Sequence, residues 1–159
     1  MKPSVYIETT IVSCVTSRPN KDLIVAAHQK QTHEWWDTQG PQFNLHTSGV
    51  VVLEASAGDP PVAADRLAVL KRLPLLQSPP SAASLAVALV GGGPIPAKAS
   101  RDALHVAIAA VNAMDYLLTW NCTHLANAYL RARIEEVCSR AGFRAPIICT
   151  PEELFVSEP

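Results

Sequence analysis

At 159 residues, with 48 % hydrophobic and 17 % charged residues, the chain has the size and composition of one globular domain with its own core, and is not a disordered chain. A net charge of −1 excludes a protein that blankets nucleic acid with phosphate contacts, so any nucleic-acid role has to rest on a local patch, a metal or a partner chain. Cys14, Cys122, Cys138 and Cys149 are far apart and form no Cys-x-x-Cys pair, which predicts free thiols in a reducing compartment rather than a disulfide framework.

The amino-terminal residues carry no signal-peptide core, and no apolar window of roughly 18 residues reads as a membrane span. A cytoplasmic protein without a membrane anchor is expected. Val5-Tyr6-Ile7 is a short β-prone run that ends in the polar tip Glu8-Thr9-Thr10. Such a strand is the usual opening of an α/β fold. Residues 11–16 begin a helix or turn that breaks near Arg18-Pro19-Asn20. Asp22 is placed to cap a helix running to about Thr38. Trp35 and Trp36 are neighbours on that helix and cannot share a face, so they read as core anchors before they read as a base-stacking platform.

Gln39-Gly40-Pro41 ends the helix, and residues 43–47 alternate apolar and polar as a second strand. Ser48 can cap a helix over residues 50–57, although Val51 stands where a capping box needs Glu or Gln. Residues 62–72 read as helix, 73–77 as a weak third strand, and 81–90 as a helix ended by Gly91-Gly92-Gly93-Pro94.

The stretch from Ser100 to Asn121 organises the rest. Asp102 opens a helix whose run from Ala103 to Ala110 is apolar apart from His105, so most of its surface is expected to be covered. Met114-Asp115 is a short break. Residues 116–120 then have the length and aromatic content of a buried strand, with Asn121 at its end. Residues 125–141 read as an amphipathic helix with Leu125, Ala128, Tyr129, Ile134, Val137 and Cys138 inward and Gly142 as its stop. Residues 146–149 form a last strand, and Thr150-Pro151-Glu152-Glu153 reads as a helix start.

Five short strands alternating with helices predict a three-layer α/β sandwich in one domain over residues 1–159. Its parallel sheet has the order 3-2-1-4-5 with helices on both faces. That order sets Glu8 and Asn121 side by side at the carboxyl edge of the sheet, where open parallel sheets bind ligands. Asp102 folds back to the same edge, because its helix starts at the carboxyl end of the strand it feeds. Glu54 lies inside the apolar run Val50-Val51-Val52-Leu53, where an unpaired carboxylate is costly. Carboxylates crowded without cations repel, raise one another's pKa and invite a hard divalent ion such as Mg²⁺ or Mn²⁺. An ion held this way can activate water and steady an in-line attack at phosphorus.

Each of the four also has a plainer reading: Glu8 as a solvated strand tip, Glu54 as a water-facing helix residue, Asp102 as a first-turn acid favoured by the helix dipole, and Asn121 as a turn residue. The predicted topology favours the joint reading, because it brings Glu8, Asp102 and Asn121 together. His105 and His124 are near enough in sequence to Asp102 and Asn121 to touch a phosphate, though His124 reads better as a helix-start or packing residue. Cys122-x-His124 lacks the second pair of a zinc site. Gly91-Gly92-Gly93 lacks the Lys-Ser/Thr of a phosphate loop. Arg131, Arg133, Arg140 and Arg144 read as a solvated face of the late helix before they read as a basic strip.

Tyr6-Ile7-Glu8-Thr9-Thr10, Val52-Leu53-Glu54, Asp102-Ala103-Leu104-His105 and Asp115 to His124 resemble the PIN domain, most of all the VapC-type toxins of bacterial toxin–antitoxin pairs. The resemblance runs from Val5 to Thr150 and is most specific over residues 102–124. It implies a ribonuclease that uses Mg²⁺ or Mn²⁺ to cut single-stranded RNA or structured RNA loops. It also implies a homodimer, blocked by a small antitoxin whose tail fills the active-site groove. By position, Glu54 matches the family's helix glutamate and Asp102 the acid that opens the central helix. Glu8 stands where the first strand of the family ends in Asp, and Asn121 where a fourth acid lies. Glu8 is one methylene longer and has to pull back to keep a metal distance. Asn121 keeps an oxygen but loses a charge. Thr9, Thr10 and Thr119 resemble the hydroxyls that orient such carboxylates.

The resemblance therefore implies a metal-dependent endoribonuclease with Glu8, Glu54 and Asp102 as ligands and Asn121 assisting. The two departures leave a second reading open, in which the same fold is an RNA- or protein-binding module with weakened chemistry. A phosphate-ester hydrolase of the haloacid-dehalogenase type fares worse, since Glu8-Thr9-Thr10 does not supply its Asp-x-Asp after the first strand.

Overall fold

The computed structural model describes residues 1–157. β1 (Ser4–Ile7) passes through Glu8 into α1 (Thr9–Thr16), followed by α2 (Leu23–Thr38). A 3₁₀ turn at Gly40–Gln42 delivers the chain to β2 (Asn44–Ser48), α3 (Gly49–Ala55) and α4 (Pro60–Leu70). β3 (Leu75–Leu76), α5 (Pro80–Val90) and a second 3₁₀ turn at Ala97–Ala99 come next, then α6 (Ser100–Val111), β4 (Tyr116–Leu118), α7 (Ala128–Arg140) and β5 (Ile147–Cys149). All five strands are parallel in the order β3-β2-β1-β4-β5, as the alternation of strands and helices predicts.

Val5, Tyr6 and Ile7 are each fully buried. Successive residues of a strand point to opposite faces, so both faces of the central strand are covered by helices. α5 packs on α6 and α7, while α1 packs on α2, α3 and α4. Side-chain caps fix where several helices begin. Asp22 accepts from the backbone N–H of Ile24 (2.9 Å) and Val25 (3.1 Å) to start α2. Ser48 accepts from Val51 N–H to start α3, and Asn127 accepts from Tyr129 N–H to start α7. Trp35 is the core anchor its position predicts: it is buried, stacks on Phe43 at 5.7 Å, and donates from Nε1 to the Leu154 carbonyl at 2.7 Å.

The structure corrects several element boundaries. β4 ends at Leu118 rather than Trp120, because the N–H of Trp120 is taken by the Thr10 hydroxyl at 2.9 Å instead of by a neighbouring strand. α7 begins at Ala128 rather than Leu125, because Leu125 and Ala126 turn back onto the carbonyl of Asn121. The Asn127 cap sets the phase of α7, so Leu130, Ile134 and Cys138 form its buried stripe while Ala128 and Tyr129 face outward. Residues 150–153 make a turn and no helix. The Glu153 carboxylate does accept from Thr150 N–H at 3.1 Å, but the next residue, Leu154, is held by Trp35. The cysteines are unpaired, and no helix among the described residues is long and apolar enough to cross a membrane.

Two small residues each sit where the other is better suited. α6 ends in a turn in which Met114 N–H donates to the Ala109 carbonyl at 3.0 Å, with Ala113 left-handed at φ 55°. A glycine takes that conformation without steric cost. Gly49 is helical, and a Cβ there meets no atom within 4 Å. Ala113→Gly and Gly49→Ala are each expected to raise unfolding free energy by about 0.5–1 kcal/mol, read as a higher urea midpoint at unchanged m.

Candidate active site at the carboxyl edge of the sheet

The pairing of β1 with β4 runs Val5–Tyr116, Tyr6–Leu117 and Ile7–Leu118. The backbone N–H of Glu8 extends the ladder to the Leu118 carbonyl at 3.2 Å, so Glu8 stands at the sheet edge level with Thr119. Glu8 is also the N-cap of α1, its Oε2 accepting from Thr10 N–H at 2.8 Å. It is only 3 % exposed, which removes the reading of a solvated strand tip. Burial holds its carboxyl above the usual carboxylate range, and the nearby charge of Glu54 adds to this, against the opposing pull of His105 and of the Thr10 hydrogen bonds.

Glu54 lies near the end of α3 and is not turned to water, for its side chain is 22 % exposed. Its Oε1 accepts from the Thr9 hydroxyl at 2.8 Å and meets His105 Nε2 at 2.6 Å. Burial raises its pKa. The hydrogen bond from His105, the Thr9 hydroxyl and the charge of Arg101 outweigh that, so the carboxyl sits below its ordinary range. Asp102 occupies the first turn of α6, as predicted. Burial, aided by the charge of Glu54, holds its carboxyl above the usual range, against Asn121, His105 and His124.

Asn121 belongs to the same edge, two residues beyond Thr119, with its side chain by Asp102. Its Oδ1 accepts from His124 N–H at 3.0 Å, its own N–H donates to the Thr119 hydroxyl at 2.9 Å, and its side chain interacts with Asp102. His124 thus lies in the turn after β4, as a helix-approach residue. Thr10 joins the pieces: its hydroxyl lies 3.4 Å from that of Thr119 and accepts from Trp120 N–H. The four positions named from the sequence therefore gather at one edge. Glu8, Glu54 and Asp102 come from three separate elements and are electrostatically coupled through Glu54 and His105.

His105 is a correction. It is 1 % exposed, with Nε2 on Glu54 and Nδ1 on the Tyr6 hydroxyl at 2.6 Å, so it has no free nitrogen for a phosphate. The arginines of the late helix are largely paired: Arg131 with Glu153 at 3.1 Å, Arg144 with Asp115 at 3.3 Å, and Arg140 with Glu136. They form the solvated face expected. Sequence reasoning gave no role to Tyr6 and treated Ser48 as a helix cap alone, yet both stand behind the site, with their hydroxyls 2.7 Å apart. It also missed a half-buried aromatic pair at the same edge, His28 stacked on Trp120 at 3.9 Å and 7°. Trp120 Nε1 donates to the Thr32 hydroxyl at 2.7 Å and fixes that pair. Nothing in either local stretch signals a contact between α2 and the end of β4.

In kind, the oxygens of Glu8, Glu54 and Asp102 suit a hard divalent cation. Their spacing is looser: among the described residues, no three His, Cys, Asp or Glu side chains are grouped closely enough to form a ligand set as they stand. The raised carboxyl of Glu8 gives the edge a measurable cost. Stability from this group is fully present below the ordinary carboxylate pKa and is lost as pH rises through the raised folded-state value. Glu8→Gln keeps an oxygen for Thr10 N–H and removes the charge. It is expected to raise the melting temperature at neutral pH by about 2–4 °C, an effect on the order of 1 kcal/mol, with the gain vanishing in acid. Differential scanning calorimetry across pH measures both parts.

No family model, no curated protein and no solved structure matches the chain, so the function of this edge has to be read from its own residues.

Proposed function

We propose that the protein is a metal-dependent endoribonuclease that hydrolyses RNA phosphodiester bonds, acting as the toxin of a type II toxin–antitoxin pair. One observation carries the reading. Three carboxylates from three elements are gathered at the carboxyl edge of a parallel sheet, two of them held above their ordinary pKa, and none is bridged by Lys or Arg among the described residues. Buried negative charge without a counter-charge is costly, and a divalent cation relieves it.

In this reading Glu8, Glu54 and Asp102 hold Mg²⁺ or Mn²⁺, and Asn121 assists through Asp102. When bound, the ion supplies Lewis acidity and a water of lowered pKa. Glu8, clamped by Thr10 N–H, provides the rigid inner wall. Asp102, half-buried in the first turn of α6, would complete the set of carboxylate oxygens around the ion. The cytoplasm, a homodimer and capture by a small antitoxin belong to the same proposal, carried by the family resemblance.

The missing ready-made ligand set and the neutral Asn121 favour a second reading, a module that binds RNA or protein without cutting. The two separate cleanly. Asp102→Asn is expected to lower Mn²⁺-dependent cleavage of single-stranded RNA by about 100-fold or more and to abolish toxicity on expression in a bacterial host. Equal cleavage by wild type and variant would remove the mechanism. Retained RNA binding without cleavage at any Mg²⁺ or Mn²⁺ concentration would establish the binding module instead.

A further inference from the structure

Behind the acidic edge runs a continuous hydrogen-bonded chain of buried groups: Ser48 Oγ to Tyr6 Oη at 2.7 Å, Tyr6 Oη to His105 Nδ1 at 2.6 Å, and His105 Nε2 to Glu54 Oε1 at 2.6 Å. Ser48, Tyr6 and His105 are at most 1 % exposed. We propose that His105 is a positioning residue. Through a one-way chain Ser48→Tyr6→His105→Glu54 it locks the Glu54 carboxylate by Oε1 and turns Oε2 to the edge as the oxygen that meets a ligand.

The direction follows from counting hydrogens. Ser48 Oγ already receives the Val51 N–H, at 3.4 Å. If Tyr6 also donated to it, the Ser48 hydrogen would be left buried without an acceptor among the described residues, a cost of about 1–3 kcal/mol. Ser48 therefore donates to Tyr6, and the single hydrogen of Tyr6 goes to His105 Nδ1. Nδ1 must then be the acceptor nitrogen, which leaves the ring hydrogen on Nε2, aimed at Glu54. Thr9 adds a second donor to the same oxygen, so Oε1 is saturated while Oε2 accepts no hydrogen bond among the described residues. Both ends of α3 are tied into this chain, Ser48 as its cap and Glu54 near its last turn. The aim of Glu54 is thus set by the helix and the strand β1 together. The same logic orients metal-binding carboxylates through partners that never touch the ion.

The consequence for a ligand rests on the metal-dependent reading above, while the chain itself does not. Two measurements on the full-length protein keep them apart. Long-range ¹H–¹⁵N correlation spectra of the His105 ring at neutral pH are expected to show hydrogen on Nε2 and an acceptor Nδ1; hydrogen on Nδ1 overturns the proposal whatever the protein does. Mn²⁺ binding by calorimetry is expected to weaken about 10–100-fold in His105→Leu and to recover largely in His105→Gln, which returns a donor to Glu54. Tyr6→Phe, which removes the donor to Nδ1 with little change in volume, is expected to weaken binding in the same direction and serves if His105→Leu does not fold. Unchanged affinity in a folded His105→Leu or Tyr6→Phe protein overturns the positioning role. Absence of Mn²⁺ binding by the wild type overturns the metal reading and leaves the ring spectrum to judge the chain.

Discussion

The pairing of β1 with β4 is the interaction on which the site depends. These strands are joined by more than a hundred residues of intervening chain, and only their register sets Glu8 level with Thr119. A slip of one residue would exchange the two faces of β1. Val5, Tyr6 and Ile7 are buried on both faces, so apolar packing holds the register against such a slip. Thr10 and Thr119 then stitch the chain just beyond the ladder, where backbone pairing has run out. The hydrophobic layers fix the position of a polar edge that these hydrogen bonds then knit together.

That edge is electrostatically expensive. The three arginine–carboxylate ion pairs among the described residues involve neither Glu8 nor Asp102. Glu54 instead takes a hydrogen bond from His105. Glu54 alone among the three carboxylates is held low, because His105, Thr9 and Arg101 surround it, while Glu8 and Asp102 stay high. A site with one secured acid and two strained ones gives up stability that packing elsewhere supplies. Such a concession is common where side chains serve a ligand rather than the fold.

Much of this was legible in the sequence. Alternating short strands and helices gave the parallel sheet and its order, and caps such as Asp22 and Ser48 carried their own local signal. The apolar run after Asp102 announced a buried helix. What escaped depended on tertiary competition. Trp120 reads as a strand residue, but its N–H is claimed by Thr10, more than a hundred residues away in the chain. Residues 150–153 carry a helix-start pattern, yet Leu154 is captured by Trp35 before a helix can form. Tyr129 sits in an apolar pattern that the Asn127 cap rotates outward. His105 looked like a reactive group because spacing shows that a histidine is near an acid, and does not show that both its nitrogens are occupied.

Glu8 and Asn121 are each tied down by a backbone N–H at the edge. The extra methylene of Glu8 does not push its carboxylate outward: the side chain folds back to cap α1 on Thr10 N–H, a bond a shorter side chain makes at the same place in many helices. Asn121, in turn, holds His124 N–H with its oxygen and sets its side chain against Asp102, where a fourth carboxylate would add repulsion to an acid already held above its ordinary range. A neutral amide at that position spares the edge one charge. The edge therefore carries three carboxylates and one amide, with Glu8 tied to the start of α1 and Asn121 to the turn after β4.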